Sequence, residues 1–264
     1  MPSISAFILG LVQGLTEFLP VSSSGHLVIA SKLLEYQSPG LILVTVVHIA
    51  TTLAVIIYFR KRFASLFVDV FNDTNCRKLV LMLGLSFCTT AVIGIGLERS
   101  GVIDAVVGSP VFVGFMLLVT GGALLSVLRL QPGQETTERL QISWKVALMV
   151  GLAQGVAIFP GISRSGFTIV AGLWGGMGRR SAAEFSFLLS VPTLLAASLF
   201  ELWREPDLAL GNSLDMLIAG LVAFITGLAG IHWLMRWLQR GRLWWFAAYC
   251  GVIGSGSVAY WGFF

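Results

Sequence analysis

Charge is scarce in this chain. Only 11% of its 264 residues are Asp, Glu, Lys or Arg, and 56% are hydrophobic. A soluble domain carries about 25% charged residues, so an ordinary water-soluble domain is excluded. Cysteine is scarce too. Cys76, Cys88 and Cys250 are odd in number and lack metal-ligand spacing. They exclude a disulfide framework and a thiolate metal site, and read as inert buried thiols. The chain has no CxxC, HExxH or P-loop. The net charge of +4 does not imply nucleic-acid binding, because the cations cluster between apolar stretches rather than along one patch. The N-terminus lacks a basic leader, and Gln13 and Glu17 interrupt its apolar run. It is therefore expected to be part of the fold rather than a removable signal.

What the chain does have is a duplication. Residues 10–26 read GLVQGLTEFLPVSSSGH and residues 151–167 read GLAQGVAIFPGISRSGF. The two align without a gap at a shift of 141 positions. Identities fall at Gly10/Gly151, Leu11/Leu152, Gln13/Gln154, Gly14/Gly155, Phe18/Phe159, Ser22/Ser163, Ser24/Ser165 and Gly25/Gly166. The same shift carries Thr52-Leu53 onto Thr193-Leu194. A repeat in an apolar chain points to a two-fold membrane architecture with its site where the halves meet.

Six stretches are long enough to cross a bilayer, which takes about 20 residues: 41–59, 79–97, 108–128, 184–203, 214–236 and 243–263. Segments 4–34 and 143–177 are apolar but broken at Pro20–Gly25 and Pro160–Gly166. Each reads as a re-entrant helical hairpin, tolerable at membrane depth only inside protein or beside a wet cavity. One hairpin and three spans per repeat invert the second copy. The expected fold is an all-α polytopic membrane protein, a single domain over 1–264. Its six transmembrane helices and two re-entrant hairpins form an inverted-topology repeat, the first copy about 1–130 and the second about 143–264. The tips then enter from opposite faces and meet. The loops on one side carry thirteen cations, among them Arg60, Lys61, Arg62, Arg77, Lys78, Arg139, Arg179 and Arg180; the other side carries Lys32, Arg99 and Arg204. The first side is expected to be cytoplasmic, with both termini outside.

Each tip ends at the N-terminus of a second half-helix, where free N–H groups and the dipole favour an anion. Ser22, Ser23, Ser24 and Gly25 stand at one tip and Ser163, Ser165 and Gly166 at the other. Arg164 adds a planar donor suited to phosphate. Two such cradles and an arginine suit a diphosphate. Glu17 aligns with Ile158 and His26 with Phe167, so the first copy alone carries a carboxylate and an imidazole. Gln13 and Glu17 share a helix face. A hydroxyl beside His26 is a nucleophile–base candidate, and Glu17 is a metal-ligand candidate. Small residues also serve plain helix packing, and the GxxxG at 10–14 and 151–155 fits that. Ser24 and Ser165 read equally as packing or capping groups. Charges within the membrane, Glu17 and Arg164, point to function. His48 reads as a supporting or a packing residue, His232 as structural, and Glu184 as a partner of Arg180. Trp203, Trp244 and Trp245 read as interfacial anchors.

The segment Gln13-x-x-x-Glu17 with Phe18-Leu19-Pro20-Val21-Ser22-Ser23-Ser24-Gly25-His26 resembles the first signature of the bacterial undecaprenyl-diphosphate phosphatases of the bacitracin-resistance type. Pro160–Thr168 resembles their second signature, and Glu184–Pro192 a further family segment. Gln13 stands where the family often has Glu. The resemblance implies hydrolysis of undecaprenyl diphosphate, the spent carrier lipid of cell-wall synthesis, to undecaprenyl phosphate and phosphate. It implies a divalent cation, Mg2+ or Ca2+, and a site open to the outer face of the cytoplasmic membrane. It carries over Glu17, Ser22, Ser23, His26, Ser163, Arg164 and Thr168 as functional residues, with Gln13 as the variable member. Its partners would be the lipid substrate and the bilayer, with no nucleic acid; a homodimer is left open. A transporter or lipid flippase is the other reading, because inverted repeats with paired half-helices are a common transporter build. Orientation is open to a direct test: an impermeant thiol reagent on intact cells is expected to label a cysteine introduced at the C-terminus and to spare one near residue 70.

Overall fold

A computed structural model describes residues 2–35, 41–130, 142–204 and 213–263; Arg139 lies outside them. The described residues form twelve helices and no strands. In chain order they are α1 (Pro2–Phe18), α2 (Ser23–Leu33), α3 (Leu41–Tyr58), α4 (Arg60–Asp69), α5 (Thr74–Arg99), α6 (Val102–Val106), α7 (Pro110–Ser126), α8 (Trp144–Val156), α9 (Arg164–Trp174), α10 (Arg179–Arg204), α11 (Ser213–Gln239) and α12 (Leu243–Phe263).

Each of the six long apolar stretches coincides with a helix: α3, α5, α7, α10, α11 and α12. Three of these, α5, α10 and α11, are long and apolar enough by themselves to cross a membrane, and α3 with α4 is a fourth if the bent pair counts as one. The other two fall short for plain reasons. α7 has 17 residues, and in α12 the Trp, Tyr, Gly and Ser residues dilute the apolar ones. The chain is a multi-pass, all-helical membrane protein.

The two broken segments are helix pairs, α1–α2 and α8–α9, and the arms of each pair pack on one another. The shift of 141 positions carries α2 onto α9 end for end and lays α5 over α11 within two residues. Packing follows the same exchange: α1 lies along α11, and α8 lies along α5. Each hairpin thus docks on a long helix from the other half of the chain. Helices α7 and α12 pack together.

Lipid tails are as apolar as the side chains, so close backbone contact holds such helices together more than burial does. Gly10 and Gly14 provide it on α1. A β-carbon at Gly10 would lie 2.4 Å from the Ala219 carbonyl oxygen, and one at Gly14 would lie 2.5 Å from that of Ala223. On α8 a β-carbon at Gly151 would lie 2.7 Å from the Ser86 carbonyl oxygen. Ser86 in turn donates to the Ala147 carbonyl at 2.7 Å. Below the tips, Phe18, Phe59 and Phe187 make an aromatic floor, with Phe187 5.7 Å from each of the other two ring centres.

Two features depart from the sequence reading. Residues 60–69, expected in a loop, form α4, bent 72° from α3. Arg60 and Lys61 are exposed there, as are Phe67 and Val68, so the segment is amphipathic and suits an interface. The thiols are not uniformly buried: Cys250 is buried, Cys76 half-buried and Cys88 exposed. Cys88 lies within an apolar helix, where the protein surface faces lipid, so an outward thiol costs little there.

The docking contacts give a stability test. Gly10→Ala is expected to destabilise the protein by about 1–3 kcal/mol, the usual cost of overpacking. Gly84→Ala, which meets nothing within 4 Å, is expected to be neutral or stabilising. Thermal unfolding of both variants in one detergent checks the difference.

Candidate active site

Both helix breaks are closed by a serine acting as N-cap. Ser22 Oγ accepts from Gly25 N at 3.3 Å, and Ser163 Oγ accepts from Gly166 N at 3.1 Å. Capping of this kind satisfies one of the free N–H groups at a helix start. It also removes those two donors from the open anion cradles expected of the tips.

The tips touch and are stitched together. Ser22 Oγ also accepts from Gly161 N, 3.1 Å away on the opposite tip. Ser165 Oγ donates back to the Leu19 carbonyl at 2.9 Å. Gly161 has φ +98°, and a β-carbon there would lie 2.5 Å from the Val113 carbonyl oxygen. Only glycine suits that corner. Thr120 on α7 donates to the Gly161 carbonyl at 3.0 Å and accepts from Ser163 N at 3.1 Å. Cys250 on α12 lies 3.7 Å from the Pro20 carbonyl. Ser22 itself has φ 67° and ψ 96°. That strained backbone in a non-glycine residue costs about 1–3 kcal/mol, and its three polar contacts hold it in place.

Above this seam lies one carboxylate. Glu17 is 6% exposed, so its charge needs partners. Its Oε1 is 2.5 Å from Arg164 Nη2, across the seam. Its Oε2 accepts from the Ser23 hydroxyl and, at 2.9 Å, from Gln13 Nε2. His48 Nε2 stands 3.9 Å from Oε2. Ser23 and Arg164, which the shift of 141 positions aligns, are thus two groups, one from each tip, on the two oxygens of one carboxylate.

Two atoms here are left over. Arg164 Nη1 and Gln13 Oε1 are buried without a hydrogen-bond partner among the described residues. Buried polar atoms are rarely left so. One is a cationic donor and the other a hard oxygen acceptor, and both stand beside Glu17. No cluster of three His, Cys, Asp or Glu side chains capable of holding a metal occurs among the described residues.

Other candidates fall elsewhere. His26 is not bonded to a serine hydroxyl. Its Nδ1 lies 2.7 Å from the Ser22 carbonyl, which accepts, so Nδ1 carries the proton. Nε2 is left to accept from the Tyr249 hydroxyl at 2.8 Å. The reason is geometric: an imidazole one turn into α2 folds back onto the capping residue's main chain. Ser24 Oγ lies 3.3 Å from Ser22 Oγ, and Ser165 Oγ stands likewise 3.3 Å from Ser163 Oγ. Thr168 is buried against α10, with its hydroxyl 2.6 Å from Ser186 Oγ. Gly25 and Gly166 are contact points of the tips: a β-carbon at Gly25 would lie 3.0 Å from Gly161 Cα, and one at Gly166 3.2 Å from Pro20 Cβ. Glu184, expected beside Arg180, has an ion pair with Arg62 Nε at 2.8 Å. Arg62 belongs to α4, whose helix fixes its position opposite Glu184. His232 packs edge-on against Tyr58 at 6.5 Å. Tyr249 escaped sequence reasoning, because an aromatic near a span end looks like an interfacial anchor.

The chain matches the bacitracin resistance protein BacA family over residues 6–256. It is 37% identical to the undecaprenyl-diphosphatase of Desulfatibacillum aliphaticivorans over 269 residues, covering 96% of both chains. It is 38% identical to that of Desulfosudis oleivorans over 273 residues and 40% identical to that of Syntrophotalea carbinolica over 265, covering 97% of each chain in both cases. With a match of this extent and relatives of nearly equal length, the chain belongs to the bacitracin resistance protein BacA family.

Proposed function

We propose that this protein is an undecaprenyl-diphosphatase of the bacterial inner membrane, releasing phosphate from undecaprenyl diphosphate to return the carrier lipid as its monophosphate. The observation that carries the reading is the Glu17 carboxylate, shared between the Ser23 hydroxyl and Arg164, with Arg164 Nη1 lacking an acceptor among the described residues. A buried guanidinium with one arm anchored and one arm open suits a phosphoryl oxygen.

The chemistry divides among these residues. Ser23 Oγ attacks the terminal phosphorus while its proton passes to Glu17. The bond from phosphorus to the bridging oxygen breaks, and undecaprenyl phosphate leaves; as a phosphate monoester it needs no protonation. Arg164 offsets charge on the equatorial oxygens. Water then attacks the phosphoseryl group and gives its proton to His26 Nε2, while Glu17 returns its proton to Ser23. Phosphate is released and His26 loses its proton to solvent. Ser23 is favoured over Ser22 because the Ser22 hydroxyl is committed to Gly25, Gly161 and Ser24.

A divalent cation fits this donor set. Mg2+ is commonly held by one or two carboxylates with substrate phosphates, and Glu17 with Gln13 Oε1, which has no hydrogen-bond partner among the described residues, offers such oxygens. Mg2+ or Ca2+ there would neutralise part of the diphosphate charge. The inverted repeat of six spans and two re-entrant hairpins is the membrane layout we infer, its support being the helix pairs that coincide under the repeat shift. With the cation-rich loops inside, the Glu17 hairpin opens to the outer face. The asymmetry of Glu17 and Ser23 against Ile158 and Arg164 favours an enzyme over a flippase, which has no need of a nucleophile–base pair on one tip.

Phosphate release by purified protein tests the assignment. Glu17→Ala and Arg164→Ala are each expected to fall at least about 10²-fold, the scale for losing one transition-state group, while remaining folded. Ser23→Ala is expected to lose turnover by orders of magnitude and to keep its stability. Ser22→Ala is expected to lose about 1–2 kcal/mol of stability, as N-caps do. Near-normal turnover in Glu17→Ala or Arg164→Ala sinks the site. Robust activity in Ser23→Ala with a dead Ser22→Ala reverses the serines. Activity in both serine variants with a dead His26→Ala replaces the covalent route by direct attack of water.

A further inference from the structure

His26 and Tyr249 come from opposite ends of the chain, on α2 and α12, and meet twice. Their rings stack at 5.5 Å with 10° between planes, and the tyrosine hydroxyl lies 2.8 Å from Nε2. The main chain holds the other nitrogen, since Nδ1–H is spent on the Ser22 carbonyl at 2.7 Å. An imidazole protonated at Nδ1 has one remaining function, a lone pair at Nε2. Tyr249 O–H, a donor, covers that lone pair. The adjacent residue Cys250 reaches the Pro20 carbonyl of the same tip. Helix α12 therefore grips the first tip at two neighbouring points, and one of them is the imidazole.

We propose that Tyr249 is a positioning residue for the phosphatase reaction, one that holds His26 in the Nδ1–H tautomer with Nε2 presented as an acceptor. The proposal rests on the reading of His26 as the group that takes the proton of water. The ring stack fixes the imidazole plane. The hydroxyl satisfies Nε2 until water or a phosphoryl oxygen displaces it, so the nitrogen stays aimed without a buried unsatisfied lone pair. Tyr249 is 41% exposed, so it has room to swing aside as substrate arrives, which a sealed core residue lacks. It stands on α12, whereas Glu17, Ser23 and Arg164 stand on α1, α2 and α9.

The test uses Tyr249→Phe in the full-length protein in detergent, with ¹⁵N-histidine labelling. Phenylalanine keeps the ring stack and removes only the donor. The expected result is a fall in kcat of about three- to ten-fold, the range for one net hydrogen bond, with KM within about two-fold by the same reasoning. The His26 Nε2 resonance, assigned by its absence in His26→Gln, is expected to move. Tyr260→Phe, on the same helix, is expected to leave both readouts unchanged. Wild-type kcat in Tyr249→Phe overturns the proposal. So does a fall in kcat with an unmoved His26 resonance, because Tyr249 would then act other than through the imidazole. Full turnover in His26→Gln, with the resonance shift still present in Tyr249→Phe, instead overturns the role given to His26 while leaving the contact in place.

Discussion

Everything near the centre of this protein is arranged around one buried carboxylate, Glu17. Burying an unpaired carboxylate costs several kcal/mol even after relaxation. Glu17 meets that cost with Arg164, Ser23 and Gln13. Arg164 reaches it only if the second tip lies against the first. The tip contact in turn depends on residues that carry no charge: Ser22 and Ser165 across the seam, glycine at 161, and Thr120 behind it. The hairpins then need their outer arms fixed, which Gly10, Gly14 and Gly151 allow by close approach to α11 and α5. The fold is a chain of dependencies ending at one ion pair.

The duplication explains why the two halves had to diverge. Pseudo-symmetric tips bring equivalent positions together, so any charge kept in both copies would face its own kind. Two glutamates or two arginines at close range in an apolar medium repel strongly. The chain keeps the neutral residues in both copies and splits the charges between them. Gln13 and Gln154 both retain a buried Oε1 without a partner among the described residues. Glu17 is matched by Ile158, and Arg164 by Ser23. A symmetric scaffold thereby carries a dipolar centre, with the Glu17 carboxylate and the Ser23 hydroxyl on one side of the seam and the Arg164 cation on the other.

Much of this was legible in the sequence, and the residues show why. The helices at the six apolar stretches were readable because apolar runs of that length have few other uses, and the paired shorter helices α1–α2 and α8–α9 because proline and glycine break an apolar run at matched places. Glu17 and Arg164 stood out through the cost of charge in a membrane. What was not legible depended on direction rather than identity. Serine repeated at 22, 23, 24, 163 and 165 gives no sign of which hydroxyl caps, which stitches and which meets the carboxylate; turning by about 100° per residue along the half-helix decides that. His26 looked like a neighbour of serine hydroxyls, yet its short reach to the Ser22 main chain wins. Helix α4 was hidden because Arg60-Lys61-Arg62 reads as a loop's charge signal. Its helix shows once Arg62 is seen held by Glu184.

Ser22 and Ser23 show how one dipeptide is divided between structure and chemistry. Ser22 takes a backbone conformation that few non-glycine residues adopt, and its hydroxyl is used up in holding it. That turn starts α2 and sets Ser23 as its first residue, on the side facing Glu17. A glycine at 22 would relax the backbone but lose the cap and the bond to Gly161. Strain in one residue is thus exchanged for a fixed hydroxyl in the next. The contact spanning the seam is made where the strain is, so loosening the tips would free the turn and the Ser23 hydroxyl together. Placement of the Ser23 hydroxyl and assembly of the two halves are therefore one event, which is why a duplicated fold can host a single site.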